Sequence, residues 1–452
     1  METPVKNDRK TLFGWAMYDW ANSAYFTTTA AALLPHYFAR SIVPEGGYSL
    51  FGRAYDGQTL WGYTVSFGAL LCFLLTPMLG AIADFSASKR RFLRAFAYGG
   101  ALFATLLCFV GTGDVALTLM LFLVSQMGFV GGNVFYDGFL PDITTPDTID
   151  RVSARGYAYG YVGGGLQFAV ALGLVAGREA LGITLETAVR LSLGMAGLWW
   201  LGFSAFALSR LREGGEAQPL PEDRHGLPRP VAYARVGFER TWATVRKLRA
   251  FRPLVLFLMA YIIYNDGVQT VIDMAAVYAT DTLKLSTTAI MVTLLIVQVV
   301  AFLGALLFGA LADRIGAQRA LLASLGLWSL VVIHAYFVPE GAAVRFFILG
   351  AAVGLVLGGT QALSRSLYGS MIPETASAEF YGFFSVFSKL SAVCGPFIFA
   401  TVSALTGSAR HAILSLIVFF VVGAVLLARV DVEQARASRL RWRFEGAEAG
   451  IA

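Results

Sequence analysis

GAIADFSASKRR, residues 80–91, returns as GALADRIGAQR, residues 309–319, in register at Asp84 and Asp313. Each copy follows a long apolar run and has a glycine, a carboxylate four residues on, and a basic cluster. Two such copies in one chain imply an internal repeat, and the surrounding composition says of what kind. Hydrophobic residues make up 57% of the 452 and charged residues only 14%, against about a quarter charged in soluble domains. Runs of about 20 apolar residues, enough to cross the hydrocarbon core, are predicted at 12–39, 58–83, 92–111, 115–139, 156–177, 188–209, 253–279, 287–311, 320–338, 343–369, 379–405 and 411–428. Inside lipid the backbone must bond to itself, so each run is read as a helix. The expected fold is all-α and integral to the membrane, with twelve transmembrane helices in two pseudo-symmetric six-helix bundles.

Outward from the repeats, the organisation is a tail (1–11), a first bundle (12–209), a linker (210–252), a second bundle (253–428) and a second tail (429–452). With both tails on the cytoplasmic side, cytoplasmic segments hold 26 of the 35 Lys and Arg and the opposite loops 7. Such a bias sets orientation and explains the net positive charge without nucleic acid. The linker begins LREGGEAQPLPEDRHGLPRP, a Gly/Pro/charge mixture with no helical period. It then places Val231, Ala234, Phe238, Trp242, Val245 and Leu248 at helical intervals, with Arg240, Arg246, Lys247 and Arg249 among them. That pattern fits an amphipathic helix on the inner membrane surface, with a solvated connector as the alternative.

A second pair of segments repeats the symmetry. GGNVFYDGFLPD (131–142) ends the fourth span, and GGTQALSRSLYGSMIPE (358–374) lies in the tenth. Internal repeats with a site between them are the mark of a transporter. Cys72, Cys108 and Cys394 lie in apolar runs and imply no disulfide framework. The four His have no metal-ligand spacing, so neither metal nor cofactor is expected. The first span is too long and polar for a cleaved signal peptide.

The paired signature, with Gly80, Asp84, Lys89, Arg90 and Arg91 in one copy and Gly309, Asp313, Arg314, Gly316 and Arg319 in the other, resembles the major facilitator superfamily. The first copy departs from the pattern at Ser86, Ala87 and Ser88. GWAMYDWANSAYFTTTAAALLPHYF (14–38), FYDGFLPD, Ser153 with Gly156, Gly160, Tyr161, Gly163 and Gly164, and FYGFFSVFSKLSAVCGP (380–396) are similar to the vacuole-effluxer-like branch. The superfamily resemblance implies spans 1, 4, 7 and 10 around a central cavity, with 2, 5, 8 and 11 beside them. It also implies that Asp84 and Asp313 hold the halves together on the cytoplasmic side, aided by Arg90, Arg314 and Arg319. The branch's fungal vacuolar members are linked to amino-acid efflux, which makes an amino acid the expected substrate.

Polar residues within spans carry the most information, because a charge there costs at least ~2.5 kcal/mol and usually has a task. Asp19, Asp137, Asp266, Asp273, Arg365 and Lys389 all fall on spans expected to border the cavity. Asp19, Asn22, Asp266 and Lys389 are the expected contacts for substrate or coupling ion, offering both charge signs to a zwitterion. Asp137 and Arg365 are assigned to the inner gate. For Lys389 a structural ion pair, and for Asp137 a helix-end hydrogen bond, stand as alternatives. Tyr25, Asn133, Tyr264 and Gln361 are further cavity candidates, or interhelical hydrogen bonds.

The expected function is secondary transport of a small solute, an amino acid or similar zwitterion, with proton coupling through the carboxylates. The alternatives are export of a drug, siderophore or lipid-like compound, and a transporter-derived sensor. No GxxxxGK[ST] loop couples ATP, and no HExxH, GxSxG or Cys/His constellation supports an enzyme. The 29 Arg against 6 Lys fit a GC-rich bacterial genome and hence a plasma membrane; a monomer is expected.

Overall fold

The computed structural model describes residues 5–50, 52–214, 217–221, 226–248 and 251–440. Its helices in chain order are α1, a continuous helical run over 9–42, then α2 (Gly57–Phe85), α3 (Lys89–Phe109), α4 (Val115–Ile143), α5 (Ile149–Ala176) and α6 (Leu185–Arg210). After α7 (Arg229–Leu248) come α8 (Arg252–Thr282), α9 (Thr287–Ile315), α10 (Ala317–Tyr336), α11 (Ala343–Met371), α12 (Glu374–Thr406), α13 (Ala409–Ala428) and α14 (Val432–Arg439). Eleven of these helices are long and apolar enough to cross a membrane. The run over 9–42, expected as the first of twelve spans, is not among them. Asp19, Asn22, Thr28 and Thr29 lower its hydropathy, and all four are buried against neighbouring helices.

Local chemistry fixes several helix starts. The carboxylates of Asp8 and Asp56 accept the backbone N–H of Thr11 and Thr59, each at 2.9 Å, satisfying first-turn donors. Those bonds also hold both carboxyls below the usual carboxylate range. In α1 the helix widens to π turns over Tyr25–Leu33, just before Pro35. The proline ring lacks an N–H and crowds the carbonyl four residues back, so the regular ladder cannot continue through it.

Three expectations need correction. The eleventh span is two helices, Ser377–Leu390 and Cys394–Thr406, because Pro396 prevents a continuous ladder. The fifth begins at Ile149, not 156, since its charged first turns (Asp150, Arg151, Arg155) are helical but too polar to read as membrane. The chain is also not wholly helical: Tyr48–Leu50 (β1) and Arg53–Tyr55 (β2) form an antiparallel hairpin in register Tyr48↔Tyr55. Gly52 at φ 76° lets that turn close.

Within the first half α1 packs on α5 and α6, and α3 on α4 and α6. In the second, α8 packs on α13, α9 on α11, and α10 on α11 and α13. The halves meet through two symmetry-related pairs, α5 with α9 and α2 with α12. Small residues permit the closest approaches: a Cβ added at Gly358 would lie 2.1 Å from the Ala301 carbonyl oxygen, and one at Gly304 2.1 Å from that of Leu355. Helix α7 rests on α2 with Gly237 against Ile82 and the Met78 carbonyl. Its face with Val231, Phe238, Trp242 and Val245 is exposed, while Arg240 turns inward over the Phe85 ring, 5.5 Å from its centroid. Arg249 of the expected basic set lies outside the described residues.

Overpacking of a tight helix contact costs typically 1–3 kcal/mol. Gly358→Ala should therefore lower the unfolding midpoint in detergent by several degrees, while Gly99→Ala, where a Cβ meets nothing within 4 Å, should leave it unchanged. Equal midpoints for the two variants would contradict the α9–α11 contact.

Candidate functional site

The repeated signatures lie at one end of the bundle, here called the basic end. There Asp84, the last acid of α2, reaches across to the other half. Its carboxylate accepts the backbone N–H of Ala378 at 3.3 Å and of Glu379 at 2.8 Å, buried donors in the first turn of the Ser377–Leu390 helix that have no intrahelical acceptor. Lys89 sits 3.2 Å from Asp84 and 2.8 Å from Asp142, and donates to Ser377 at 2.6 Å. Ser377 in turn donates to the Gly138 carbonyl at 2.7 Å. Gly80 lets the α2 backbone touch Ala378: a Cβ there would lie 2.4 Å from the Ala378 carbonyl oxygen.

The second signature closes differently. Asp313 takes no helix N–H; Arg151 of α5 donates to it from Nε and Nη2 at 2.9 and 2.7 Å. This pair is more exposed than Asp84–Lys89, so it contributes less. Arg90, expected at the gate between halves, instead donates to the Leu208 carbonyl at the end of α6. Arg314 and Arg319 make no hydrogen bond or ion pair among the described residues.

Deeper in the interface stands a buried charge cluster. Arg365 of α11 is 3% exposed, and every polar contact of its guanidinium is with the first half. Nε donates to the Ser153 hydroxyl at 3.0 Å and Nη2 to the Ser153 carbonyl at 2.9 Å. Nη1 reaches Asp137 at 3.1 Å and Asp19 at 3.5 Å. The rings of Tyr157, Trp15 and Tyr136 surround it at 4.1, 4.9 and 5.3 Å from its central carbon, distances at which a cation is attracted to a ring face. Gly156 makes the room: a Cβ there would meet Trp15 at 2.7 Å and Arg365 at 2.8 Å.

The sequence grouped Asp19 with Asp266 and Lys389, and Asp137 with Arg365. The structure gathers Asp19, Asp137 and Arg365 into one cluster and sets the other two apart. Asp266 accepts the N–H groups of Cys394 at 3.0 Å and Gly395 at 2.8 Å, capping the second piece of the broken α12. Beside it Asn265 donates to Ser391 at the break. Lys389, at the end of the first piece, is exposed, makes no ion pair among the described residues, and has Cys72 and Asp273 as its titratable neighbours.

The neutral candidates tie helices together. Tyr25 bonds Ser125 at 2.9 Å within the first half and Tyr264 bonds Ser364 at 2.7 Å within the second. Asn22 donates to Asn133 within the first half. Tyr161 donates to Gln361 across the halves, as Gln298 does to Thr27 at 3.1 Å. Among the described residues, hydrogen bonds between halves run from the basic end to about this level and stop, so the structure is shut at the basic end.

Sequence reasoning missed the walls of the Arg365 cluster. Trp15, Tyr136 and Ser153 stand in the stretches quoted for the family resemblance without a role of their own, and Tyr157 in none of them. The signal present was the glycine spacing at 156, 160, 163 and 164, which leaves α5 smooth against α1: added Cβ atoms at Gly160 and Gly163 would meet Asp19 and the Trp20 backbone. Asp84→Asn removes the charge that Lys89 and the α12 turn share. A cysteine at Ala362, buried in the interface with the native cysteines replaced, should then react with a water-soluble thiol reagent several-fold faster; an unchanged rate would mean the Asp84 contacts do not hold the end shut.

Comparison with known proteins gives these contacts a context. The family described as "Vacuole effluxer Atg22 like" matches residues 7–439. The MFS-type transporter YxiO of Bacillus subtilis is 33% identical over 95% of this chain and 96% of its own length. Autophagy-related protein 22 of Coccidioides immitis is 24% identical, covering 85% of this chain and 74% of the relative. Among solved structures, the proton:xylose symporter XylE superposes with a TM-score of 0.67 at 13% identity over 93% of this chain and 95% of XylE, a likeness of fold. Repeated signatures, two six-helix halves and a family match over nearly the whole length agree: the chain belongs to the vacuole effluxer Atg22-like family of major facilitator transporters, integral to the membrane and not enzymes.

Proposed function

We propose that the chain moves a small zwitterion, in the first instance an amino acid, by alternating access, with its basic end and both termini cytoplasmic in a bacterial plasma membrane. The observation that carries this reading is the Arg365–Asp19–Asp137 cluster, which spans the two halves and must break when the basic end opens. Breaking it leaves two buried carboxylates without their cation, a cost of about 3–5 kcal/mol when one partner of a buried pair is removed. A proton or a substrate cation arriving at that moment offsets the cost, which links opening to ligand. Lys389, apart from the cluster and without an ion pair among the described residues, supplies an ammonium suited to a substrate carboxylate. The excess of basic residues at the shut end supports its cytoplasmic assignment, and the exposed apolar face of α7 suits the adjoining membrane surface.

Uptake of a panel of labelled amino acids into proteoliposomes, with and without a pH gradient, tests the reading. Uptake of at least one amino acid, several-fold faster with the gradient, is expected; a flat response across the panel removes the amino-acid reading. Asp19→Asn and Arg365→Lys should each lower uptake at least tenfold, because lysine cannot reproduce the forked contacts to Ser153 and Asp137. If Lys389→Ala and Asp266→Asn both transport like the parent chain, neither residue lies on the substrate path.

A further inference from the structure

We infer that the pocket now filled by the Arg365 guanidinium is a cation-binding site of the first half, and that Arg365 holds the place of the substrate's own ammonium or guanidinium group. The inference rests on the transport reading above and deepens it by naming the chemical group recognised. Three features of the pocket support it. Its walls belong to the first half alone: Trp15 and Tyr136 on α1 and α4, Tyr157 and Ser153 on α5, Asp19 on α1 and Asp137 on α4. Trp15, Tyr136 and Asp19 are also tied to one another without Arg365, whereas the Ser153 hydroxyl donates to the Ala362 carbonyl of α11. The Trp15 indole N–H donates to the Tyr136 carbonyl at 2.8 Å, the two rings stack at 4.5 Å, and the Tyr136 hydroxyl donates to Asp19 at 3.2 Å. The Trp15–Tyr136–Asp19 side of the box therefore persists when α11 withdraws.

Its chemistry, too, selects a cation with N–H donors. Three ring faces attract a positive charge, two carboxylates neutralise it, and the Ser153 hydroxyl and carbonyl accept its hydrogens. Finally, Arg365 is supplied from the opposite half, so occupancy of the box is tied to the state of the basic end. When that end is shut Arg365 fills the box; when it opens the box holds two carboxylates and no cation. A substrate ammonium entering there replaces the lost charge one for one, and on re-closing Arg365 displaces it. The exchange makes and breaks no covalent bond and needs no co-reactant.

The test uses the purified full-length chain and its Arg365→Ala variant, with ethylguanidinium chloride as the probe and sodium chloride as the ionic-strength control. Binding is read from the unfolding midpoint and from tryptophan fluorescence. The Arg365→Ala chain should bind ethylguanidinium at least tenfold more tightly than the parent, and adding Trp15→Leu, or Asp19→Asn together with Asp137→Asn, should abolish the gain. Equal binding by parent and Arg365→Ala, or binding that survives Asp19→Asn with Asp137→Asn, overturns the inference. Should Arg365→Ala fail to fold with two bare carboxylates, Arg365→Ala/Asp137→Asn keeps one carboxylate and the three rings, and the same comparison is made against addition of Asp19→Asn. The transport reading fails separately. Probe binding with no amino acid transported leaves the cation box and removes the zwitterion; amino-acid uptake with no probe binding by either variant removes the box and leaves transport.

Discussion

The structure turns on one buried guanidinium. Arg365 leaves its own half entirely and is solvated by the other, through Ser153, Asp137, Asp19 and three aromatic rings. A charge so far from water is stable only with all its partners in place, so the two halves are held at one relative position wherever it is docked. The Asp84 contacts to the first turn of α12 and the Arg151–Asp313 pair act at the rim of the same interface. The rim contacts set how the end closes, while the buried cluster sets what closure requires.

Glycine geometry makes this cluster possible. An arginine inserted between helices needs space that ordinary side chains would fill, and Gly156 provides it; Gly160, Gly163 and Gly164 keep α5 close against α1 so that Asp19 lies within reach. The symmetry of the fold is only partly carried into chemistry. The paired signatures occupy matching places in the two halves, yet Asp84 bonds a helix terminus and Asp313 an arginine side chain. The halves share a scaffold and differ at the contacts between them.

A second departure from regularity lies in α12, broken over residues 391–393 and capped from α8 by Asp266. Irregular backbone at membrane depth is tolerated where protein satisfies its polar groups, and Asp266 does so for two of the freed N–H groups. Lys389, exposed, stands one residue before the end of the helical piece that precedes the break.

The sequence by itself determined the spans, the two halves, the basic bias and the paired signatures, because lipid forces each apolar run to satisfy its own backbone and leaves a local trace in composition. It also placed Asp19, Asp137, Asp266, Asp273, Arg365 and Lys389 within spans, though it passed over the buried Glu379 at the start of the eleventh. It did not determine their partners. Depth along a helix can be counted from residue number, but azimuth and the approach of a helix hundreds of residues away cannot. Asp19 and Arg365 are 346 positions apart in the chain, and Asp266 looked like a free carboxylate until the proline break on another helix supplied two N–H groups for it. Only tertiary packing decided which charges meet, because a side chain reaching between helices answers to the space and polarity it finds there, not to its neighbours in sequence.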